Sequence, residues 1–262
     1  MDTIFVWLQE PLFYRRASVV VAFALIVSVA ARAGLPLWTT GACALVGYLG
    51  GYVGSALFNT LVSSEATPIY GLSSIGGIIG AITISSVFLK SLRADPLRFA
   101  DAALPGVAVG YALWRLGCFF NGCCHGVPTD MPWGATHGPQ TGAFTFQVIH
   151  RIITPSTPAS LPVHPTQLYE AALALFVLFV VTRTGGDPPG RRTALLLSIY
   201  GGGRFMVEFL RASYTAPIGP LYPNQIGSLA ILMSGLILLT VTGQSTSHSR
   251  RIAVAPRDGD SR

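Results

Sequence analysis

Long apolar stretches dominate this chain and restrict the folds that are open to it. They are about as long as a helix that crosses the hydrocarbon core of a bilayer, which is roughly 20 residues. Only 11% of the residues are charged, whereas a soluble globular chain has about a quarter. The sequence therefore predicts an all-α, polytopic membrane protein. Seven spans are predicted, at residues 17–35, 38–62, 69–89, 100–120, 166–183, 193–210 and 223–242.

The basic residues predict how these spans are oriented. More of the 17 Lys and Arg residues lie in segments on the C-terminal side of the spans than on the opposite side. Because basic segments favour the cytoplasm, we expect a multi-pass membrane protein with a cytoplasmic C-terminus and an N-terminus on the outer side, which in a bacterial envelope is the periplasm. Residues 1–242 then form one transmembrane domain with a periplasmic cap loop at 121–163, and residues 243–262 form a disordered cytoplasmic tail.

The positive net charge of the chain does not require a nucleic-acid partner. The net charge of +6 comes from basic residues concentrated between apolar spans, and topology control explains that arrangement. The sequence therefore predicts no binding of nucleic acid.

Three charged residues lie within predicted spans, where an unpaired charge is costly. They are Arg115 in the fourth span and Arg204 and Glu208 in the sixth. Arg204 and Glu208 are four residues apart, so they share a helix face and can pair. One interpretation is a structural salt bridge beside an Arg115 that reaches the interface. The other is a pocket for an anionic head group, because arginine holds phosphate with paired donors.

The fifth span opens with the polar stretch "HPTQLYE". It contains His164, Gln167, Tyr169 and Glu170 within seven residues. A proline suits the first turn of a helix, and a tyrosine can anchor a helix end at the membrane interface. The density of hydrogen-bonding side chains exceeds what anchoring requires, and we therefore favour a functional role.

The cysteines in "WRLGCFFNGCCHG" allow several interpretations. Cys118, Cys123, Cys124 and His125 lack the paired spacing of structural zinc sites, so the sequence predicts no metal site. A disulfide from Cys118 to Cys123 or Cys124 is favoured over a vicinal bridge. A nucleophilic thiol with His125 or His164 as its base, and simple apolar packing, remain open.

Three motifs together resemble the prolipoprotein diacylglyceryl transferase family, over about residues 68 to 242. "WRLGCFFNGCCHG" is similar to the family signature G-R-x-G-N-x-x-N-x-E-x-x-G. "HPTQLYE" is similar to H-P-S-Q-L-Y-E, and "YGGGRFMVEFLR" to Y-G-x-x-R-F-x-x-E-F-x-R. Their order and their setting in a seven-span protein strengthen the resemblance.

The resemblance implies a reaction and its participants. Members of the family transfer the diacylglyceryl group of phosphatidylglycerol to a cysteine thiol in the signal-peptide region of a prolipoprotein. A thioether forms, glycerol-1-phosphate leaves, and no cofactor is needed. The partners are then phosphatidylglycerol, the prolipoprotein and membrane lipid. By this resemblance the catalytic positions are Arg204, Arg115, Glu208 and His164, and the substrate-binding positions are Arg115, Asn121, Gly126, Gln167, Tyr169, Glu170 and Tyr200.

The chain departs from the family pattern at four positions. Trp114 replaces a glycine, Cys118 an asparagine and Cys123 a glutamate. Ile75 stands where the resemblance places a functional histidine. Isoleucine cannot accept a proton, so either another group such as His125 or His164 activates the acceptor thiol, or the acceptor is a different one.

Two other functions stay open at this point. One is a related transferase that uses the cysteines of residues 118–124 for another acceptor. The other is a lipid-binding or transport protein without catalysis, since intramembrane charges also occur in transporters.

Overall fold

The chain forms a bundle of long helices around a short helical insertion. A computed structural model describes residues 11–62, 74–212 and 219–254. Within these ranges the structure contains α-helices and isolated β-bridges but no strands, which confirms the predicted all-α class. The helices are α1 Pro11–Arg32, α2 Leu37–Val62, α3 Ser74–Ser91, α4 Pro96–Phe120, α5 Gly142–Ile149, α6 Thr166–Arg183, α7 Arg191–Glu208 and α8 Pro223–Val254.

Five of these helices are long and apolar enough to cross a membrane. They are Pro11–Arg32, Leu37–Phe58, Pro96–Phe120, Thr166–Arg183 and Pro223–Gly243. Within α3, Gly76–Ser91 is a shorter apolar helix. Helix α7 is also long, but it is less apolar than these five helices. It contains the ion-paired residues Arg204 and Glu208 and begins with two arginines.

The predicted boundaries differ most from the structure at the start of α1 and at the end of α8. Helix α1 begins at Pro11 rather than at residue 17. Helix α8 continues to Val254, into the segment 243–262 that the sequence predicts to be a disordered tail. The predicted end at 242 follows the loss of apolar residues, but polar residues such as Gln, Ser and Arg also extend a helix beyond an apolar core.

The bundle packs mainly as three helix pairs, α1 with α4, α2 with α3, and α7 with α8. Glycines make the closest approach, between α2 and α3. A Cβ atom on Gly54 would lie 2.5 Å from the carbonyl oxygen of Gly76 and 2.8 Å from the Cα of Gly80. Small residues at such crossings let the backbones of membrane helices come into contact.

We expect Gly54→Leu to separate α2 from α3 and to destabilise the protein by at least about 1–3 kcal/mol, the usual cost of overpacking. Thermal unfolding in detergent measures this change. Gly202→Ala is the matched control, because nothing lies within 4 Å of a Cβ atom at Gly202. If the two variants melt alike, the close α2–α3 contact does not contribute to stability.

One end of the bundle is fixed by a carboxylate. Asp101 of α4 accepts hydrogen bonds from the N–H groups of Gly190 and Thr193, both at 2.8 Å, and from the Thr193 hydroxyl at 2.6 Å. These bonds satisfy donors at the start of α7 that have no partner within that helix. The far ends of α4 and α7 therefore meet the start of α6 in a defined position.

The end of the bundle opposite Asp101 carries the three polar motifs. Backbone hydrogen bonds join the segments that contain them. Gly126 N–H donates to the His164 carbonyl at 2.9 Å, and Val127 N–H donates to the Leu210 carbonyl at 2.9 Å. Ala212 N–H donates to the His125 carbonyl at 3.1 Å. The segment after α4, the one before α6 and the one after α7 thus come together at one end of the bundle.

Candidate active site

Five charged side chains from three helix ends meet at Glu170, and we call them the ion cluster: Arg115, Glu170, Arg204, Glu208 and Arg211. Glu170 Oε2 lies 2.6 Å from Arg115 Nη2 and 3.3 Å from Arg204 Nε. Glu170 Oε1 lies 3.3 Å from Arg211 Nη1. Arg204 also pairs with Glu208, as the four-residue spacing predicts, and Arg211 Nη1 is 3.5 Å from Glu208 Oε1.

The ion cluster is buried and carries an excess of positive charge. Its side chains are between 0% and 12% exposed. Three guanidinium groups face two carboxylates, which leaves one positive charge uncompensated within the cluster. Charges are costly in so poorly hydrated a position unless they are paired, so the cluster is suited to an anionic ligand.

Two tyrosines extend the cluster by a chain of hydroxyl groups. Tyr200 OH donates to Tyr111 OH at 2.6 Å, and Tyr111 OH in turn donates to Glu170. Arg115 Nε donates to Tyr111 OH at 2.8 Å. Tyr111 and Arg115 are four residues apart on α4, so they share a helix face, and the same spacing places Tyr200 and Arg204 together on α7.

A narrow cleft gives access to this cluster from between the helices. Its volume is about 40 Å³, whereas pockets that hold small-molecule ligands measure about 300–1,000 Å³. Polar groups of α4 and α7 face the first turns of α8 across it. The lining residues are Ile78, Tyr111, Arg115, Tyr200, Arg204, Asn224, Gly227, Ser228 and Ile231.

Cys118, Cys123 and Cys124 form a second group, which we call the thiol cluster. Their three sulfur atoms all lie within 4.8 Å of one another. All three are free thiols, so the predicted disulfide from Cys118 is not formed. Cys123 Sγ instead donates to the Cys118 carbonyl at 3.7 Å, and the tight turn that permits this contact places Cys124 in the left-handed region, at φ 59°.

Side chains of α6 hold the carbonyl groups of this turn. Gln167 Nε2 donates to the Cys123 carbonyl at 2.7 Å, and Thr166 Oγ1 donates to the Cys124 carbonyl at 2.6 Å. Gln167 and Thr166 are completely buried, so these bonds are shielded from water. The thiol cluster is thereby fixed to the same helix that carries Glu170.

The positive charges of Arg115 and Arg211 in the ion cluster also act on the thiol cluster. Hydrogen bonds with the thiols of Cys118 and Cys123 lower the pKa of the Cys124 thiol well below its ordinary value, while burial opposes this shift. The positive charges of Arg211 and Arg115 lower that pKa further. The Cys124 thiol therefore ionises more readily than the Cys123 thiol, whose pKa is raised.

His164 and Tyr169 belong to a third group, nearer the surface. His164 Nδ1 lies 3.2 Å from Tyr169 OH, and that hydroxyl accepts a hydrogen bond from Trp133 Nε1 at 2.7 Å. Gly126 packs directly against His164, because a Cβ atom there would lie 2.5 Å from the His164 Cβ atom. Gly126 therefore allows the segments around His164 and Leu210 to approach.

Asn121 and His125 lie in the turn that leaves α4. Asn121 ends the helix, with its N–H 3.1 Å from the Gly117 carbonyl, and its own carbonyl accepts from Gly142 N–H at 3.2 Å. His125 is buried, and burial lowers the pKa of its imidazole. The ring is therefore neutral at pH 7, with Nδ1 2.9 Å from the Gly126 carbonyl oxygen.

The predicted site residues thus fall into groups with different positions. Arg115, Glu170, Tyr200, Arg204 and Glu208 come together around the ion cluster. Gln167 and Asn121 adjoin the thiol cluster, whereas His164, Tyr169 and Gly126 lie at the third group.

Two members of the site were not predicted from the sequence. Arg211 directly follows the predicted sixth span, where a basic residue is usually a topology signal, but it pairs with Glu170 and Glu208 inside the site. Its match to the last arginine of the third motif was the signal that pointed to it. Tyr111 gave a weaker signal, its position four residues before Arg115.

The two remaining departures from the family pattern are Trp114 and Ile75. Trp114 lies beneath the guanidinium of Arg15, with 5.3 Å from its carbon to the ring centre, which is a cation–π contact. Ile75 is in the first turn of α3, and its side chain lies outside the described residues.

Comparisons with known proteins agree with the three motifs. The family model for prolipoprotein diacylglyceryl transferase matches residues 14–241. A phosphatidylglycerol–prolipoprotein diacylglyceryl transferase of Clostridium tetani is 30% identical over 211 residues, 76% of this chain and 78% of that protein. Enzymes of the same name from Xanthomonas oryzae pv. oryzae (34% identical, 74% of this chain and 71% of theirs) and Bordetella avium (32%, 68% and 63%) are also similar. The chain belongs to the prolipoprotein diacylglyceryl transferase family.

Proposed function

We propose that this protein transfers the diacylglyceryl group of phosphatidylglycerol to the thiol of a lipobox cysteine in a prolipoprotein, with release of glycerol-1-phosphate. The names of its relatives describe this reaction. The observation that carries the proposal is the ion cluster, in which three buried arginines exceed two glutamates. This excess of one positive charge complements the single negative charge of a phosphodiester.

Two of the three arginines are assigned to the phosphate group of the lipid in this reaction. Arg115 and Arg204 both line the cleft, and we assign them to the phosphate of the lipid head group. When the bond between the glyceryl carbon and the phosphate oxygen breaks, negative charge grows on the departing phosphate. Fixed guanidinium groups in a poorly hydrated site stabilise such charge more strongly than water does.

The glutamates and tyrosines hold the arginines in place. Glu170 contacts three guanidinium groups, and Glu208 contacts two. Tyr200 lines the cleft and donates to Tyr111, so it is placed to bind the head group. We therefore assign Glu170 and Glu208 mainly to positioning and Tyr200 to substrate binding.

The acceptor peptide is assigned to the side of the site near the surface. His164 and Tyr169 are there with Trp133, which is 56% exposed. His164 is a candidate to take the proton of the acceptor thiol, and the exposed aromatic surface suits an apolar peptide. Asn121, Gly126 and Gln167 shape the turn between this surface and the ion cluster.

We also propose the placement of the protein in the bacterial inner membrane. All seven long helices cross the bilayer, the N-terminus is periplasmic and the C-terminus cytoplasmic. The segment 121–163, which includes α5, forms a periplasmic cap over the site. Exposed apolar side chains along α1, α2 and α8 support a lipid-facing surface.

A transfer assay tests the proposed function. Purified protein in detergent is incubated with phosphatidylglycerol labelled in its acyl chains and with a peptide that contains a lipobox cysteine. We expect label on the peptide, and we expect Arg115→Ala to reduce the rate by about 100-fold or more, as when a donor to a developing charge is lost. Arg98→Ala is the control, because the Arg98 side chain is 71% exposed at the other end of the bundle.

The outcomes separate the functions that the sequence left open. Label on the peptide that is lost in Arg115→Ala supports the transferase. A folded protein that binds phosphatidylglycerol but labels no cysteine peptide would contradict it, and would favour a different acceptor or a lipid-binding role.

A further inference from the structure

Three of the four cysteines of this chain converge at one place, although they are scattered over seven residues. Cys43 is the fourth and lies buried in α2. The three thiols hydrogen-bond to one another, and their sulfur atoms are also close enough together to share one ligand.

The separation of the sulfur atoms suits a metal ion. Zinc–sulfur bonds are about 2.3 Å long, which places two sulfurs of one site about 3.8–4.0 Å apart. The three sulfur atoms here are all within 4.8 Å of one another before any ion is bound. The observed separations exceed the spacing in a zinc site by at most about 1 Å.

The surroundings fix this geometry from outside. Buried Gln167 and Thr166 hold the carbonyl groups of Cys123 and Cys124. Cys124 keeps a left-handed backbone at φ 59°, which is costly for a residue other than glycine. The turn thus retains an unfavourable conformation that directs the third thiol to the other two.

Electrostatics favours a bound thiolate complex here. A Zn²⁺ ion with three thiolates carries one negative charge in total. The neighbouring ion cluster carries an excess of one positive charge, so it attracts such a complex rather than repels it.

We propose that Cys118, Cys123 and Cys124 bind a thiolate-seeking transition metal ion, represented by Zn²⁺, and leave its fourth coordination position open for the thiol of the acceptor. The second half of this proposal rests on the proposed function. Cys123 and Cys124 are only partly buried, so a ligand can reach the ion. Thiolate ligands are typical of Zn²⁺ and Cu⁺ sites, and a catalytic zinc keeps one position for a substrate.

Metal binding would help to deprotonate the acceptor thiol, which Ile75 cannot do because isoleucine accepts no proton. A thiol that coordinated Zn²⁺ would have a lowered pKa and would give its proton more readily to His164, the proton acceptor proposed above. Its sulfur then attacks the glyceryl carbon, the carbon–sulfur bond forms, and the carbon–oxygen bond to phosphate breaks. Glycerol-1-phosphate leaves with the electron pair, and the arginines of the ion cluster stabilise its charge.

Cobalt titration tests the metal site without reference to activity. Full-length protein is purified in detergent under reducing conditions, stripped of metal and titrated with Co²⁺, which gives sulfur-to-cobalt absorption bands when thiolates bind it. We expect one Co²⁺ per chain, displaced by Zn²⁺. The triple variant Cys118→Ser, Cys123→Ser, Cys124→Ser is expected to weaken binding more than 100-fold, while Cys43→Ser binds as tightly as the parent.

Thermal unfolding of each metal-free variant shows whether that variant is folded. If the triple variant does not fold, the single variant Cys124→Ser replaces it in the titration. Cys124→Ser is expected to weaken binding more than tenfold. Absence of the cobalt bands in the parent protein, or bands that persist unchanged in the cysteine variants, overturns the metal site. A count of accessible thiols two lower than in the denatured, reduced chain would show a disulfide and would overturn it equally.

Peptide titration then tests the open position. A lipobox peptide should shift the cobalt bands, and the same peptide with serine in place of cysteine should not. If neither peptide shifts the cobalt bands, the acceptor thiol does not bind at the fourth coordination position and this part of the proposal is overturned. If cobalt binds and responds to the cysteine peptide but the labelled lipid is never transferred, the proposed function fails while the metal site stands.

Discussion

Glu170→Ala is expected to be the most damaging single substitution in this protein. Glu170 is fully buried and pairs with Arg115, Arg204 and Arg211. Its removal raises the uncompensated positive charge of the ion cluster from one to two. Loss of one partner of a buried ion pair typically costs about 3–5 kcal/mol, so we expect a large fall in melting temperature and no measurable transfer.

A double variant distinguishes charge from simple loss of packing. Glu170→Ala combined with Arg211→Ala restores the excess of one positive charge, so it should be more stable than Glu170→Ala alone. Thermal unfolding of the two single variants and the double variant gives the coupling free energy. If the two destabilisations add, Arg211 does not depend on Glu170 and the arrangement of the cluster described above is wrong.

Arg204→Ala is expected to lower the rate of transfer by about 100- to 1,000-fold, or about 2.7–4 kcal/mol of transition-state stabilisation. Arg204 lines the cleft and is held by two carboxylates. Because it acts on charge that develops during the reaction, the loss should fall on kcat more than on KM for phosphatidylglycerol. Steady-state kinetics with the labelled lipid measures both constants.

Arg204→Lys separates charge from geometry. Lysine keeps the charge but lacks the planar pair of donors, so its rate should fall between those of Arg204→Ala and the parent. Arg183→Ala is the control, because Arg183 is exposed at the other end of α6 and stacks on Phe179. A rate for Arg204→Ala within a factor of two of the parent would contradict the assigned role.

Much of the architecture was predictable because membrane helices leave a strong pattern. Apolar length located the five helices that are long and apolar enough to cross a membrane, since the bilayer sets a minimum length for each. Helix ends were less certain, as α1 and α8 show. Short α5 within the segment 121–163 has only eight residues and leaves no such pattern.

The charged part of the site was predictable for a different reason. Arg115, Arg204 and Glu208 stood out because charge is rare within an apolar span. Spacing of four residues also predicted the pair between Arg204 and Glu208, and this prediction is confirmed. The family, predicted from three motifs, is confirmed by the match over residues 14–241.

The sequence did not indicate which residue would be central. Glu170 looked like one of several polar residues at the start of a helix, and only the meeting of three helix ends makes it the shared partner of three arginines. Arg211 was missed for the same reason, since a basic residue just beyond a span is usually a topology signal. Convergence of Cys118 with Cys123 and Cys124 likewise depends on a left-handed turn at Cys124 that composition does not reveal.

The small size of the cleft has a consequence for how a lipid gains entry. A cleft of about 40 Å³ has no room for a phosphoglycerol head group, so the helices around it must separate before a lipid can bind. Its walls come from α3 and α4 on one side and from α7 and α8 on the other. Helices α2 and α3 are packed closely on each other, as are α7 and α8. We therefore expect the helices to separate at the seam between α3 and α8 when a lipid enters from the bilayer.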